Sequence, residues 1–237
     1  MVFVILFACM NALASTTGTD APRATSSADP AKSVAKPSGD VPLAPYPTAH
    51  PFPVIDPKKA LIGARLQDAL RRGGLVLYLR HTESGLATPQ CTASNLTRQG
   101  ETDAIKIGLA IRDRKLLIAK VFSSDICRVQ DTARLLDLGS VEVNEDLTNV
   151  RKREGHDFAA ARMKLIATPP PSGMNHLLVG HLHGGEREDQ AIYLDFGEMI
   201  VYRPDGLGGS DAVARIRIED WPNLGFDGKK TGHQGVR

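Results

Sequence analysis

The stretch Leu75-Val76-Leu77-Tyr78-Leu79-Arg80-His81-Thr82-Glu83 decides the fold of this chain. Its first five residues are apolar, which predicts a short strand buried on both faces of a sheet. The pair Gly73-Gly74 precedes the strand, and polar residues follow it abruptly. In open α/β sheets, ligands bind beyond the carboxyl ends of the strands. The guanidinium and the imidazole at this strand end therefore indicate a site for an anionic ligand.

The composition of the 237 residues is that of a globular protein, with 42% hydrophobic and 24% charged residues. Such a composition permits a domain with a substantial core. The formal net charge is only +2, and no extended run of Lys and Arg occurs. We therefore expect no nucleic-acid partner, and we expect any positive field to be confined to a pocket.

The N-terminal residues 1–14 resemble a signal peptide, because the apolar run Val2–Met10 is followed by an Ala-x-Ala pattern that ends at Ala14. Such a run is too short to span a membrane. No Lys or Arg precedes Arg23, so we expect the true start to lie upstream. A lipoprotein site at Cys9 fits poorly, and the alternative is a hydrophobic tail on a cytosolic protein. The expected location is periplasmic or secreted, without stable membrane insertion of the mature protein.

Residues 15–57 are rich in Ala, Pro, Ser and Thr and contain few large apolar side chains. Such a segment cannot bury enough apolar surface to fold, so it is predicted to be a disordered linker. The folded domain is expected to span residues 58–224, with a flexible tail at 225–237.

Helical and strand patterns alternate along this domain, which predicts an α/β fold with a largely parallel sheet. A hairpin is predicted around Pro204-Asp205-Gly206, from the segments 197–202 and 212–218. The other predicted helices and strands are read from apolar spacing and from capping residues. The helices cover 58–72, 97–114, 126–137 and 158–167, and the strands cover 75–79, 119–122, 141–143 and 176–180.

Two of the buried strands are each followed by a histidine, His81 and His181. Because neighbouring parallel strands end at the same edge of a sheet, we expect the two imidazoles to face each other. His181-Leu182-His183 also has the form of a metal-ligand pair, with His81 as a third ligand for zinc. The chain lacks a carboxylate-rich partner motif, so we expect no metal and interpret His183 as a surface residue.

The chain contains three cysteines, Cys9, Cys91 and Cys127. If Cys9 leaves with the signal peptide, an exported protein with two cysteines remains, and this favours a disulfide. From the spacing alone, two unrelated small apolar side chains are an equal alternative.

Four segments carry the chemistry, in a fixed order along the chain. They are the strand end Arg80-His81-Thr82, the helix start Asn95–Gly100, the strand-to-helix junction Ser123–Ala133 with Arg128 one turn in, and the strand end Val179-Gly180-His181. Together they resemble the histidine phosphatase superfamily, in its branch 1 type, as an exported bacterial member. The resemblance covers about residues 73–221 and implies the phosphoglycerate-mutase-like fold, a three-layer sandwich with helices on both faces of the sheet.

The resemblance also implies roles for residues. His81 would be the nucleophile that forms a phosphohistidine, which water then hydrolyses. Arg80, Arg128 and a protonated His181 would form the phosphate pocket, assisted by the helix N-terminus near Asp125. The implied substrate is a small phosphorylated molecule, and the implied activity is a metal-independent phosphoric monoester hydrolase without a cofactor.

The chain departs from the family pattern at the position of the general acid. Many members place a Glu in a Leu-x-Glu segment, but the corresponding residue here is Asn149, which cannot donate a proton. The branch with an Asp after the second His is excluded, because Leu182 follows His181. The candidate acids are Glu198, which we favour, and Glu154. Alternatively the protein uses no acid, which suits substrates such as phosphohistidine or an acyl phosphate.

Two alternative functions, the role of Glu83 and the placement of the cysteines complete the expectations from sequence. A phosphate- or phosphosugar-binding protein of the same fold, without efficient turnover, is the second functional hypothesis, and a mutase is less expected. Glu83 either touches substrate or caps its loop. The resemblance places Cys91 and Cys127 near the pocket rim, where a disulfide would join the nucleophile loop to the helix of Arg128.

Overall fold

A computed structural model describes residues 55–89, 91, 94–148, 156–181 and 194–225. The predicted signal peptide, the linker up to residue 54 and the tail beyond residue 225 lie outside these ranges. The elements in chain order are α1 Gly63–Arg72, β1 Val76–Arg80, α2 Arg98–Asp113, β2 Ile118–Ser123, α3 Cys127–Leu135, β3 Val141–Val143, α4 Phe158–Ile166, β4 Asn175–Gly180, β5 Met199–Pro204 and β6 Ser210–Ile216.

The six strands form one sheet in the order β3-β2-β4-β1-β5-β6. The neighbours β3, β2, β4 and β1 pair in parallel, whereas β5 and β6 form the antiparallel hairpin that the sequence predicted. The prediction of an α/β fold with a mostly parallel sheet is therefore confirmed. Strands β1 and β4 lie side by side in the centre, so their carboxyl ends meet at one edge.

Residues of β1 point alternately into two separate hydrophobic cores. Leu77 and Leu79 belong to a core with residues of α1, α2 and α3, whereas Val76 and Tyr78 belong to a core with Ile166 of α4. Helices therefore cover both faces of the sheet. Because both faces are buried, the strand is a continuous apolar run rather than an alternating one.

The first helix is shorter than predicted, since it begins at Gly63 and not at residue 58. The preceding residues form a turn in which the Asp56 carboxylate accepts a hydrogen bond from Lys58 N at 2.9 Å. Leu61 N then donates to Val213 O of β6, which takes this backbone out of helical geometry. The helix ends at Gly73, whose φ of 75° is readily adopted by glycine.

Two short 3₁₀ helices, Glu145–Leu147 and Ile218–Asn223, were not predicted. The second carries Trp221, which packs into the core beneath α2. In the described ranges, no helix combines the length and the apolar character that crossing a bilayer requires.

Candidate active site

The carboxyl ends of β1 and β4 bring His81 and His181 together. Arg80 pairs with Gly180 in the register of the two strands, and His81 N donates to Gly180 O at 3.0 Å. The two imidazole centroids are 5.7 Å apart, and each histidine is only 4% exposed. The two predicted strand ends thus form one pocket edge.

The His81 ring has a defined tautomer. Its Nδ1 lies 2.8 Å from Thr82 O, and a carbonyl oxygen only accepts, so Nδ1 carries the hydrogen and Nε2 carries the lone pair. Burial is the main cause that lowers the pKa of His81 to about 3; the hydrogen bond to Thr82 O opposes it, and the charges of Arg128 and Arg80 act in the same direction as burial. His81 is therefore neutral at pH 7, with Nε2 available as a nucleophile.

Arg128 lies in the first turn of α3 and connects the two histidines. Its Nε donates to His81 Nε2 at 3.0 Å, and its Nη2 lies 3.4 Å from His181 Nδ1. Its Nη1 donates to Ser94 Oγ at 3.4 Å. Burial lowers the pKa of the Arg128 guanidinium, although arginine remains charged at neutral pH. One cation therefore occupies the centre of the pocket.

The surroundings of His181 favour its neutral form. Arg128 can only donate, so Nδ1 carries the lone pair and Nε2 donates to Ser124 Oγ at 3.1 Å. Burial, reinforced by repulsion from His81 and Arg128, lowers the pKa of His181 to about 3. With these neighbours His181 is neutral at pH 7.

The hydroxyl of Tyr78 holds the backbone of His181. It accepts from His181 N at 3.2 Å and lies 3.4 Å from His181 O, to which it donates. A Cβ at position 180 would overlap this hydroxyl, so Gly180 permits the close approach. Burial raises the pKa of Tyr78, which keeps the hydroxyl protonated. The sequence indicated Tyr78 only as a core residue, because nothing in a strand pattern shows where a hydroxyl points.

Arg80 runs along the turn before β5. Its Nη1 donates to Leu194 O at 2.5 Å, and its guanidinium carbon lies 3.9 Å from the centroid of Phe196. The Phe196 ring is in turn 5.5 Å from the His81 ring. The charge of Arg80 contributes to the lowered pKa values of both histidines, so it acts on the pocket.

Arg162 is a further cation near the site, and the sequence did not predict it. It lies on α4, is only 4% exposed, and its charge contributes to the lowered pKa of His181. Its spacing offered one signal, because Arg162 and Ile166 are four residues apart and form the buried side of α4.

The structure places the favoured acid, Glu198, in an ion pair. The carboxylate is only 1% exposed and accepts hydrogen bonds from Arg215 at both oxygens, while Arg217 Nε lies 3.7 Å away. Both oxygens are engaged by a guanidinium, and this placement argues against a role as general acid. The other candidate, Glu154, lies outside the described residues, as do Asn149, Leu182 and His183.

A disulfide joins Cys91 to Cys127, with a Cα–Cα distance of 6.0 Å. Cys127 is the first residue of α3 and directly precedes Arg128. Ser94, on the same loop as Cys91, has a φ of 112°, a strained value for a residue with a side chain. The disulfide thus connects the loop after β1 to the helix that carries the central cation.

The remaining polar residues near the pocket have structural partners. Thr97 caps α2, and its hydroxyl donates to the Glu83 carboxylate at 2.7 Å, which agrees with the loop-capping alternative for Glu83. The Asp125 carboxylate accepts from Thr148 Oγ1 at 2.7 Å. Within the described ranges, no three side chains of His, Cys, Asp or Glu are grouped so that they could hold a metal ion.

No protein-family model matches the chain, and no curated protein matches it. Several solved structures resemble it at low identity. The protein histidine phosphatase SixA complexed with tungstate is 18% identical, with a TM-score of 0.49 over 62% of this chain and 98% of that chain. Alpha-ribazole phosphatase from Shigella flexneri is 16% identical, with a TM-score of 0.43 over 61% and 96%. Phosphoserine phosphatase from Entamoeba histolytica in complex with 3-phosphoglyceric acid is 14% identical, with a TM-score of 0.43 over 60% and 96%.

Proposed function

We propose that this protein is a phosphatase that hydrolyses a phosphomonoester through a phosphohistidine on Nε2 of His81, without a metal. The observation that carries the proposal is the state of His81, which is neutral, with its Nε2 lone pair in contact with Arg128. Attack on a phosphate group requires a nucleophile and, beside it, a cation that binds the phosphate oxygens.

Substrate binding replaces the contact between Arg128 and His81. The non-bridging phosphate oxygens accept hydrogen bonds from Arg128 and from the N-terminus of α3, and Arg80 adds positive charge. The phosphate dianion also places negative charge beside His181, which raises the pKa of that histidine and favours its protonation on binding. The positive form of His181 expected from the sequence is thus a property of the complex.

In the first chemical step, the lone pair of His81 Nε2 forms a bond to phosphorus, and the leaving oxygen departs with the electron pair of the P–O bond. The ring becomes cationic, and its Nδ1–H bond to Thr82 O stabilises that charge. In the second step, a water oxygen bonds to phosphorus while the N–P bond breaks and its electron pair returns to Nε2. The water releases a proton to solvent, and inorganic phosphate leaves. Because Glu198 is held in an ion pair, we expect substrates whose leaving group departs with little assistance from a proton donor.

The test is hydrolysis of p-nitrophenyl phosphate and acetyl phosphate by the wild type and by His81→Ala, with EDTA present. His176→Ala is the matched control, since His176 is a buried histidine of β4 that packs on Phe122. We expect activity in EDTA that is lost in His81→Ala and kept in His176→Ala, with acid-labile phosphate trapped on His81. Activity that survives in His81→Ala would contradict the proposal, and loss of activity in EDTA would contradict metal independence.

A phosphate-binding protein without turnover is the second candidate, and the ion-paired state of Glu198 favours it because the expected acid is occupied. Binding of inorganic phosphate without hydrolysis of either substrate would support this candidate.

We also propose a periplasmic or secreted location, which the Cys91–Cys127 disulfide supports since disulfides persist in oxidising compartments.

A further inference from the structure

We infer that Glu198 is a positioning residue, whose ion pair with Arg215 holds the turn 194–197 against Arg80 and so orients the Arg80 guanidinium beside His81. The inference rests on the proposed function, because it assigns a role within the same site. As a positioning residue, the buried Glu198 carboxylate has a role in the site although it takes no part in the proposed chemical steps.

Two hydrogen bonds connect the turn 194–197 to Glu198. Asp195 N donates to the Glu198 carboxylate at 2.8 Å, and Glu198 N donates to Asp195 O at 3.1 Å. Gly197 N donates to His81 O at 3.2 Å, so the turn is also bonded to the nucleophile's backbone. The orientation of the turn therefore depends on where the Glu198 carboxylate sits.

Arg215 determines where that carboxylate sits. It lies on β6, opposite Ile200 of β5, and contacts both carboxylate oxygens of Glu198. A two-point contact between a planar guanidinium and a carboxylate constrains both distance and orientation. The β5–β6 hairpin at one side of the sheet thus provides a rigid support for a turn at the pocket edge.

The turn in its place holds Arg80 from two sides. Leu194 O accepts from Arg80 Nη1, and the Phe196 ring lies 3.9 Å from the guanidinium carbon. Arg80 N donates to Glu198 O at 2.9 Å, which brings the two backbones together. A cation bound by a carbonyl and an aromatic ring has few orientations left, so its position beside the phosphate is set in advance.

Glu198→Gln tests the inference, with Glu219→Gln as the matched control. Glu219 is an exposed carboxylate 3.9 Å from Arg217, so its loss alters the same charge cluster without touching the turn. We expect Glu198→Gln to lower kcat/KM by roughly 10- to 100-fold and to weaken binding of inorganic phosphate. The factor should be the same for aryl phosphates with good leaving groups and for an alkyl phosphate with a poor one.

The leaving-group series separates positioning from proton donation. A loss that grows as the leaving group becomes poorer, with unchanged phosphate affinity, would identify Glu198 as the general acid and overturn the inference. An unchanged rate and an unchanged phosphate affinity would overturn it as well. Near-ultraviolet circular dichroism verifies that each variant is folded.

If Glu198→Gln does not fold, Arg215→Lys decides with the same readouts, because lysine keeps the charge and removes the two-point contact. Phosphate affinity also keeps this test distinct from that of the proposed function. A wild type that binds phosphate without turnover refutes the proposed phosphatase activity. The affinity of Glu198→Gln for inorganic phosphate then decides the inference. A wild type that neither binds phosphate nor hydrolyses a substrate refutes both.

Discussion

Arg128 Nε lies 3.0 Å from His81 Nε2, so the central cation of the pocket is bonded to the nitrogen that we propose as nucleophile. The same guanidinium reaches towards His181 and Ser94 through its other two nitrogens. An incoming phosphate therefore replaces the neutral His81 nitrogen as the hydrogen-bond acceptor of Arg128. The guanidinium is already in place when the phosphate arrives.

Arg128→Lys should lower kcat/KM for p-nitrophenyl phosphate by about 100- to 1,000-fold, because an ammonium cannot contact three groups in one plane. The check is steady-state kinetics together with calorimetric titration of phosphate. Arg134→Lys, on the same helix with a 60% exposed side chain, is the control and should leave both unchanged. A loss of less than about threefold in Arg128→Lys would remove Arg128 from the phosphate pocket.

Tyr78→Phe should lower kcat while the fold persists, because the ring is retained and only the hydroxyl that holds His181 is lost. The expected fall in the free energy of unfolding is about 1 kcal/mol, the size of one buried hydrogen bond. Tyr202→Phe, a second buried tyrosine in the same core, is the control. Unchanged kcat and unchanged imidazole resonances of His181 would show that the hydroxyl does not position this histidine.

The double variant Cys91→Ser/Cys127→Ser should lower the free energy of unfolding by about 4 kcal/mol, since the disulfide closes a loop of 36 residues in the unfolded chain. Activity should also fall, because the loop with Ser94 and the helix start with Arg128 lose their covalent connection. Urea unfolding and kinetics, with and without dithiothreitol, measure both effects. A wild type insensitive to dithiothreitol, together with a fully active double variant, would show that the disulfide has no role in the site.

Acid should destabilise the protein through His81 and His181. Each has a folded-state pKa of about 3 against an ordinary value of 6.5, so the unfolded chain binds more protons between these values. The contribution of the two histidines to the free energy of unfolding is fully present above pH 6.5. It falls as pH drops towards 3, by up to about 1.4 kcal/mol per pH unit for each histidine.

Urea unfolding from pH 7 to pH 4 measures this dependence. The double variant His81→Asn/His181→Asn should flatten the curve. Parallel curves for the wild type and the double variant would mean that the two histidines are not buried in their neutral forms.

Much of the fold followed from local pattern. The apolar runs ending in His81 and His181, the Thr97 cap of α2 and the hairpin of β5 and β6 were predicted close to their observed positions. The start of α1 was not, because the bond from Leu61 N to Val213 O joins residues far apart in sequence and overrides local helical preference.

The sequence by itself determined the order of the strands and helices and the meeting of two histidines at one sheet edge, because strand and helix periodicity and the geometry of parallel pairing are local or general rules. Only the tertiary structure decided the protonation of His181, the contacts of Tyr78 and the ion pair of Glu198 with Arg215. Burial and charge pairing are set by residues that are distant in the chain, so no local pattern specifies them.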